Sequence, residues 1–288
     1  MGDVEMVLVA GATGTLGRHV VGGLRAAGHR IRGLARRETG FVGLDIDEVR
    51  ACDARDPTAV KDAVAGSSIV FSALGSSVMP GITGRAGFAA NDWKANRNLI
   101  DAARNAGVGR FVYIGVAGTE STRHLPYVAA HVKVEEHLQA SGLAHTIIRP
   151  TGFFASLSAV LDVVKWGVAP VIAGGRARTN PIHEAELAQR CVEAIRDDER
   201  GVIEVGGPEI LSRRRIMELA FAARGKRPRF ISSPAFMARA GGAAGGLLHP
   251  LHPRLAALLS FYSHVMAHDC LAPAYGQARL EDYFKQML

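Results

Sequence analysis

Residues 7–28 read VLVAGATGTLGRHVVGGLRAAG, an apolar run, a glycine-rich turn and an amphipathic segment in direct succession. The apolar run predicts a buried strand, and Leu16, Val20, Val21 and Leu24 recur at helical spacing behind it. A strand that passes through Gly11-Ala12-Thr13-Gly14-Thr15-Leu16-Gly17 into a helix sets the backbone N–H groups of the first helical turn around the glycines. Those groups and the helix dipole favour an anion, and a pyrophosphate fits there. Gly11 permits the tight turn, Gly14 lets a phosphate approach, and Gly17 lets helix and strand pack closely.

The pattern continues outward. MVLVAG at 6–11, HRIRGLAR at 29–36, EVRACD at 48–53, SSIVFSALG at 67–75, RFVYIGVAG at 110–118 and HTIIRPTGF at 145–153 read as strands. Helical periodicity lies between them, for example Leu99, Ala102, Ala103 and Ala106. This alternation predicts βαβ units and a parallel sheet, and strands that are apolar on successive residues predict helices on both faces. After Pro150 the alternation weakens. The sequence predicts a helix over about 154–167, a short strand at 170–172, a helix opened by 181–184 and running to Arg196, and a strand VIEVGG at 202–207. LSRRRIMELAFAARG at 211–225 predicts a further helix with Ser212 as its N-cap. AGGAAGG at 240–246 predicts a loop or hinge before a final helical pair.

Composition bounds the classes. With 288 residues, 48% of them hydrophobic, the chain can bury a full core. The formal charge of +7 is spread along the chain, which favours an anionic ligand, and the basic stretches lack the interleaved aromatics of a nucleic-acid platform. Cys52, Cys191 and Cys270 form neither a disulfide framework nor a zinc motif, so a reducing cytoplasm is expected. No apolar run approaches the ~20 residues that span a bilayer, and no integral membrane segment is expected.

At the end of the second strand, where an acid would bind the ribose 2′-hydroxyl of NAD, stand Arg36 and Arg37. Guanidinium groups pair with a 2′-phosphate, which predicts NADP(H) in preference to NAD(H); two solvated surface arginines are the alternative. Asp53, closing the third strand, is placed to accept from the adenine amino group or to cap the following turn. The strand end Ala73-Leu74-Gly75 is counted with the same cofactor-binding set.

GATGTLGRHV, RFVYIGVAG, HVKVEEHLQASGLAHTIIRPTGFF and TNPIHEAELA together resemble the atypical short-chain dehydrogenase/reductases, in particular their NmrA-like NAD(P)-binding branch, over roughly residues 5–230. The resemblance implies an α/β fold, a Rossmann-type doubly wound parallel sheet with a small, mostly helical C-terminal substrate-facing portion. It implies an NAD(P)-binding domain over 1–152, and a smaller portion over 153–288 interleaved with the last elements of the sheet. It also implies nicotinamide contacts from the turn Arg149-Pro150-Thr151-Gly152-Phe153. The usual site in this group pairs a Tyr with a Lys four residues later and a Ser from the preceding strand end. Lys133 matches the lysine, but Ala129 stands four residues before it and the strand end reads Ile114-Gly115-Val116. Tyr127 lies six residues before Lys133, about 120° away around a helix. In isoflavone-reductase-like relatives a matching lysine acts as acid/base or orients the nicotinamide ribose, so the resemblance carries a catalytic role to Lys133; a solvated helix face beside Glu135 and Glu136 is the alternative. His131 and Tyr113 are further proton-donor candidates, or packed core groups.

His264 and His268, spaced i, i+4, would share a helix face, and His249 and His252 lie upstream, but no glutamate stands where a zinc peptidase needs its base, and no metal is expected. LAALLSFYSHVMAH at 255–268, with Phe236, Met237, Leu247 and Leu248, is read as lining a pocket for a flat apolar substrate, covering the sheet edge, or forming a homodimer contact. The expected function is NADP(H)-dependent hydride transfer to or from an apolar ketone, enone or quinone-like molecule. The alternative is a non-catalytic NADP(H)-binding redox sensor or assembly subunit.

Overall fold

A computed structural model of the chain describes residues 5–75, 92–234 and 253–288. The opening stretch forms β1 (Met6–Ala10), all five residues buried, and α1 (Thr15–Ala26). Then come β2 (Arg30–Ala35), β3 (Glu48–Ala51), α2 (Pro57–Val64), β4 (Ile69–Ser72), α3 (Lys94–Asn105), β5 (Arg110–Ile114), α4 (Thr119–Thr122), α5 (Pro126–Ala140) and β6 (His145–Pro150). The chain continues through α6 (Phe154–Leu157), α7 (Ala159–Val163), β7 (Ala169–Ile172), β8 (Arg178–Thr179), α8 (Glu184–Arg196), β9 (Gly201–Val205), β10 (Leu211–Ser212), α9 (Arg213–Ala223) and β11 (Phe230–Ser233). Two helices close the described chain, α10 (Pro253–Val265) and α11 (Leu280–Gln286).

Seven strands build one parallel sheet in the order β3-β2-β1-β4-β5-β6-β9. The alternating side chains of β1 show why both faces must be covered. Val7 and Val9 join Leu16, Val20, Val21 and Leu24 of α1 and Leu187, Cys191 and Ile195 of α8 in one core. Leu8 and Ala10 join Val60 and Val64 of α2, Leu99 and Ala103 of α3, and Val134 and Leu138 of α5 in another. Each fully buried Val or Leu contributes about 1.5–3 kcal/mol, so the two layers hold the sheet from both sides. Strand order reverses between β1 and β4, which opens a crevice beyond the carboxyl ends of those strands.

The remaining strands pair outside this sheet. β7 pairs with β11 in parallel and β8 with β10 antiparallel. A third core packs Phe154, Leu161, Val164, Phe221 and Phe284. Ser212 caps α9 as expected, its Oγ accepting from the Arg215 N–H at 3.0 Å. The single helix expected over 154–167 is instead broken into α6, α7 and a 3-10 turn at Val164–Trp166. The Ser158 hydroxyl donates to the Ala155 carbonyl at 2.7 Å, and such a local bond competes with the α-helical ladder. The expected hinge at 240–246, with Phe236, Met237, Leu247, Leu248, His249 and His252, lies outside the described residues. Among the described residues no helix is long and apolar enough to cross a membrane.

Candidate functional site

The glycine turn sits at the switch point. Gly11, at φ +85°, donates to the Leu34 carbonyl at 3.0 Å, and Gly14 donates to the Gly11 carbonyl at 2.9 Å before capping α1. Gly17 is pressed onto this turn: a Cβ there would lie 2.1 Å from the Gly11 oxygen. Ala12, Leu16 and Gly17 are buried, whereas Gly14 and Thr15 are exposed. A backbone cradle with no room for a side chain at Gly17 and little at Gly11, open at the start of a helix, fits a dinucleotide pyrophosphate.

On the β2 side of the cradle, Arg36 and Arg37 follow buried Ala35 and are both exposed. The loop after them folds back over the turn, because a Cβ on Gly40 would meet Thr13 Cγ2 at 2.8 Å. Arg18 ties the two together, its Nη2 donating to the Gly40 carbonyl at 2.7 Å and its Nε to the Thr13 carbonyl at 3.3 Å. A third guanidinium therefore joins the site, one that sequence reasoning missed. Its only signal was its place directly after Gly17, in the first turn of α1. Asp53 caps its own turn: Oδ1 accepts from the Arg55 N–H at 2.9 Å and Oδ2 from Arg55 Nη2 at 2.5 Å. Hydrogen bonding by Arg55 holds this carboxyl down at about 2, with Arg36 adding to the positive surroundings.

On the other side of β1, a buried polar network shapes the end of β4. Ser72 Oγ donates to Asn96 Oδ1 at 2.6 Å, and Asn96 Nδ2 donates to the Leu74 carbonyl at 3.1 Å and the Asp92 carbonyl at 2.8 Å. Ser72 and Asn96 are fully buried, so the path of Ala73, Leu74 and Gly75 past the cradle is fixed by groups that water does not reach. Ala73 also donates to the Ala10 carbonyl at 3.0 Å, and its own carbonyl would meet a Cβ on Gly11 at 3.1 Å.

Beyond Gly75 the inward face of α5 carries Tyr127, His131 and Glu135 at spacings of four. The Tyr127 and His131 rings meet edge to face with centroids 4.8 Å apart, and His131 Nδ1 lies 2.7 Å from the Tyr113 hydroxyl of β5. Burial depresses His131 to about 4 and raises both phenols. Glu135 pairs with Arg149, whose Nη2 donates to Oε2 at 2.5 Å. Burial pushes the Glu135 carboxyl up against the opposing pull of Arg149, while the bond to Glu135 raises Arg149.

Lys133 faces elsewhere. Two residues past His131 it lies about 200° around the helix, and its side chain is exposed. Four residues after Tyr127 the inward face of α5 carries a histidine, where the usual site of the resembled group carries its lysine. The turn at 150–153 is held to the segment at 180–182. Thr151 Oγ1 donates to the Asn180 carbonyl at 2.6 Å, Ile182 donates to the Gly152 carbonyl at 2.9 Å, and Phe153 bridges Ile182. Pro150 is buried, and Thr151, Gly152 and Phe153 are half-buried on the crevice side of β6. His264 and His268, on α10 and just beyond it, stack with ring centroids 4.0 Å apart, and His264 meets His124 edge to face at 6.0 Å.

Comparison with known proteins bears on the family and the fold. A family model described as NAD(P)H-binding matches residues 11–198. The chloroplastic divinyl chlorophyllide a 8-vinyl-reductase of Zea mays is 31% identical over 252 residues, covering 79% of this chain and 61% of the maize protein. This chain thus spans about three fifths of that relative's length. The NADPH-dependent quinone oxidoreductase of Escherichia coli, solved with NADPH, superposes with a TM-score of 0.71 at 21% identity over 98% of this chain and 99% of its own. The triphenylmethane reductase of Citrobacter sp., solved with NADP(H), gives 0.73 at 18% identity over 98% and 100%. Both structural likenesses speak to the fold.

Proposed function

Because this chain belongs to the NAD(P)H-binding family, we propose that it is an NADP(H)-dependent oxidoreductase acting on an apolar ketone, enone or quinone-like molecule. The observation that carries the reading is Arg18 tying Thr13 to Gly40 beside the glycine cradle, with Arg36 and Arg37 exposed in the same loop at the end of β2. These guanidinium groups supply charge for a 2′-phosphate where an acid would select NAD. NADPH, when bound, would supply the hydride. The chain's own residues hold the pyrophosphate at 11–17, position the middle of the cofactor at 73–75, and border its far half with His131 and the turn at 150–153. The relatives' names, a vinyl reductase and a quinone reductase, support a conjugated, apolar acceptor. Three free thiols support a reducing compartment, which we take to be the cytoplasm.

The test is calorimetric titration of NADPH and NADH into the wild type and an Arg36→Ala/Arg37→Ala variant, followed by NADPH oxidation across a quinone and enone panel. Preference for NADPH by about tenfold, ~1.4 kcal/mol, lost in the variant, is the expected result. Equal affinities overturn the cofactor preference. Tight binding without turnover on any acceptor assigns the chain to the redox-sensor class.

A further inference from the structure

His131 is 4% exposed, and its Nε2 finds no hydrogen-bond partner among the described residues. Its other nitrogen faces the Tyr113 hydroxyl at 2.7 Å, and that phenol is itself wholly buried. Among the described residues the Tyr113 hydroxyl has no other acceptor, so the phenol donates to Nδ1 and the neutral imidazole carries its proton on Nε2. Burial keeps both rings neutral, the phenol by raising it and the imidazole by lowering it. The result is a fixed N–H donor with no acceptor among the described residues.

Its position is informative. Cε1, the ring carbon between Nδ1 and Nε2, would lie 4.0 Å from a Cβ on Gly75. Gly75 is exposed and brings no side chain between the ring and the crevice. The adenosine end of a dinucleotide belongs beside Arg36 and Asp53, at β2 and β3, so the other half runs past the end of β4 toward β5. An unsatisfied buried donor is costly, and an oxygen brought by a ligand relieves it.

We propose that His131, clamped by Tyr113, donates its Nε2–H to an oxygen on the nicotinamide half of the bound dinucleotide where that half passes Gly75. The inference rests on the dinucleotide reading above and assigns one of its contacts.

Two substitutions separate the ring's two nitrogens. His131→Asn keeps an amide near the Nδ1 position, within reach of Tyr113, and removes the group at Nε2. His131→Gln sets an amide nitrogen near Nε2. Binding is read by calorimetry with NADPH and with 2′,5′-ADP, which lacks the nicotinamide half. His131→Asn is expected to weaken NADPH about tenfold, and His131→Gln to stay within about twofold of wild type. All three proteins should bind 2′,5′-ADP alike. NADPH affinity unchanged in His131→Asn overturns the contact while leaving the dinucleotide reading standing. Equal losses for NADPH and 2′,5′-ADP overturn it as well, because they report a damaged fold. A wild type that binds neither ligand overturns the contact and the parent reading together.

Discussion

Gly115 and Glu135 compete for one space: a Cβ at position 115 would lie 2.4 Å from Glu135 Oε1. The carboxylate is held in that position by Arg149, whose Nε donates to both its oxygens at 3.2 Å and Nη2 to Oε2 at 2.5 Å. This strand end is where the resemblance expects a serine, so the buried ion pair accounts for the glycine found there. Gly115→Ser should destabilise by about 1–3 kcal/mol through overpacking. Thermal unfolding would show this as a Tm lowered by about 2–4 °C per kcal/mol; an unchanged Tm would mean that Glu135 has room to move.

The cradle is equally intolerant at Gly17, where a Cβ would stand 2.1 Å from the Gly11 oxygen and 2.9 Å from Ala12 Cα. Both obstacles are backbone, so relief requires α1 to lift off the turn that it caps. Gly17→Ala should abolish measurable NADPH binding and lower stability by about 2 kcal/mol or more. Calorimetry on folded variant protein checks the first part, and retained affinity would contradict the cradle geometry.

Much of this was legible because it is local. A strand, a glycine turn and a helix with Leu16, Val20, Val21 and Leu24 on one face announce β1 and α1, and Ser212 announces the start of α9. What stayed hidden depends on contacts distant in sequence. Arg18 matters because the loop at 38–41 folds over Thr13, which no spacing reveals. Glu135 excludes a side chain at 115 only once α5 packs against the ends of β5 and β6. The Tyr127–His131 spacing is written in the chain, but counting back from Lys133 finds Ala129 and conceals the pair. Helix phase decided that question, and α5 buries residues on so much of its circumference that its periodicity marks no single inward stripe.

His131 also predicts how stability follows pH. Its ordinary value is 6.5, and burial lowers it to about 4 in the fold. Between those values the unfolded chain takes up a proton that the native state refuses, so stability rises with pH across the interval and is lost as pH falls from about 6.5 toward 4. The full contribution is about 3 kcal/mol, present at neutral pH and gone below about 4. Urea unfolding at a series of pH values should show a shallower acid loss in His131→Gln than in the wild type. Parallel curves for the two proteins would contradict a neutral buried imidazole.

Lys133 provides the complementary case. Its exposed side chain leaves the outer side of α5, so Lys133→Ala should change stability by no more than about 0.5 kcal/mol. NADPH affinity and turnover should both match the wild type, since about 200° of helix separates this residue from the ring that borders Gly75. Side-by-side kinetics of Lys133→Ala and His131→Asn decide between the two. A loss of turnover in Lys133→Ala at unchanged Tm would return the lysine to the site, for then its ammonium must reach the bound cofactor by a path around the helix. Wild-type rates in that variant, with weakened NADPH binding in His131→Asn, would leave the inward histidine as the α5 residue in contact with the cofactor.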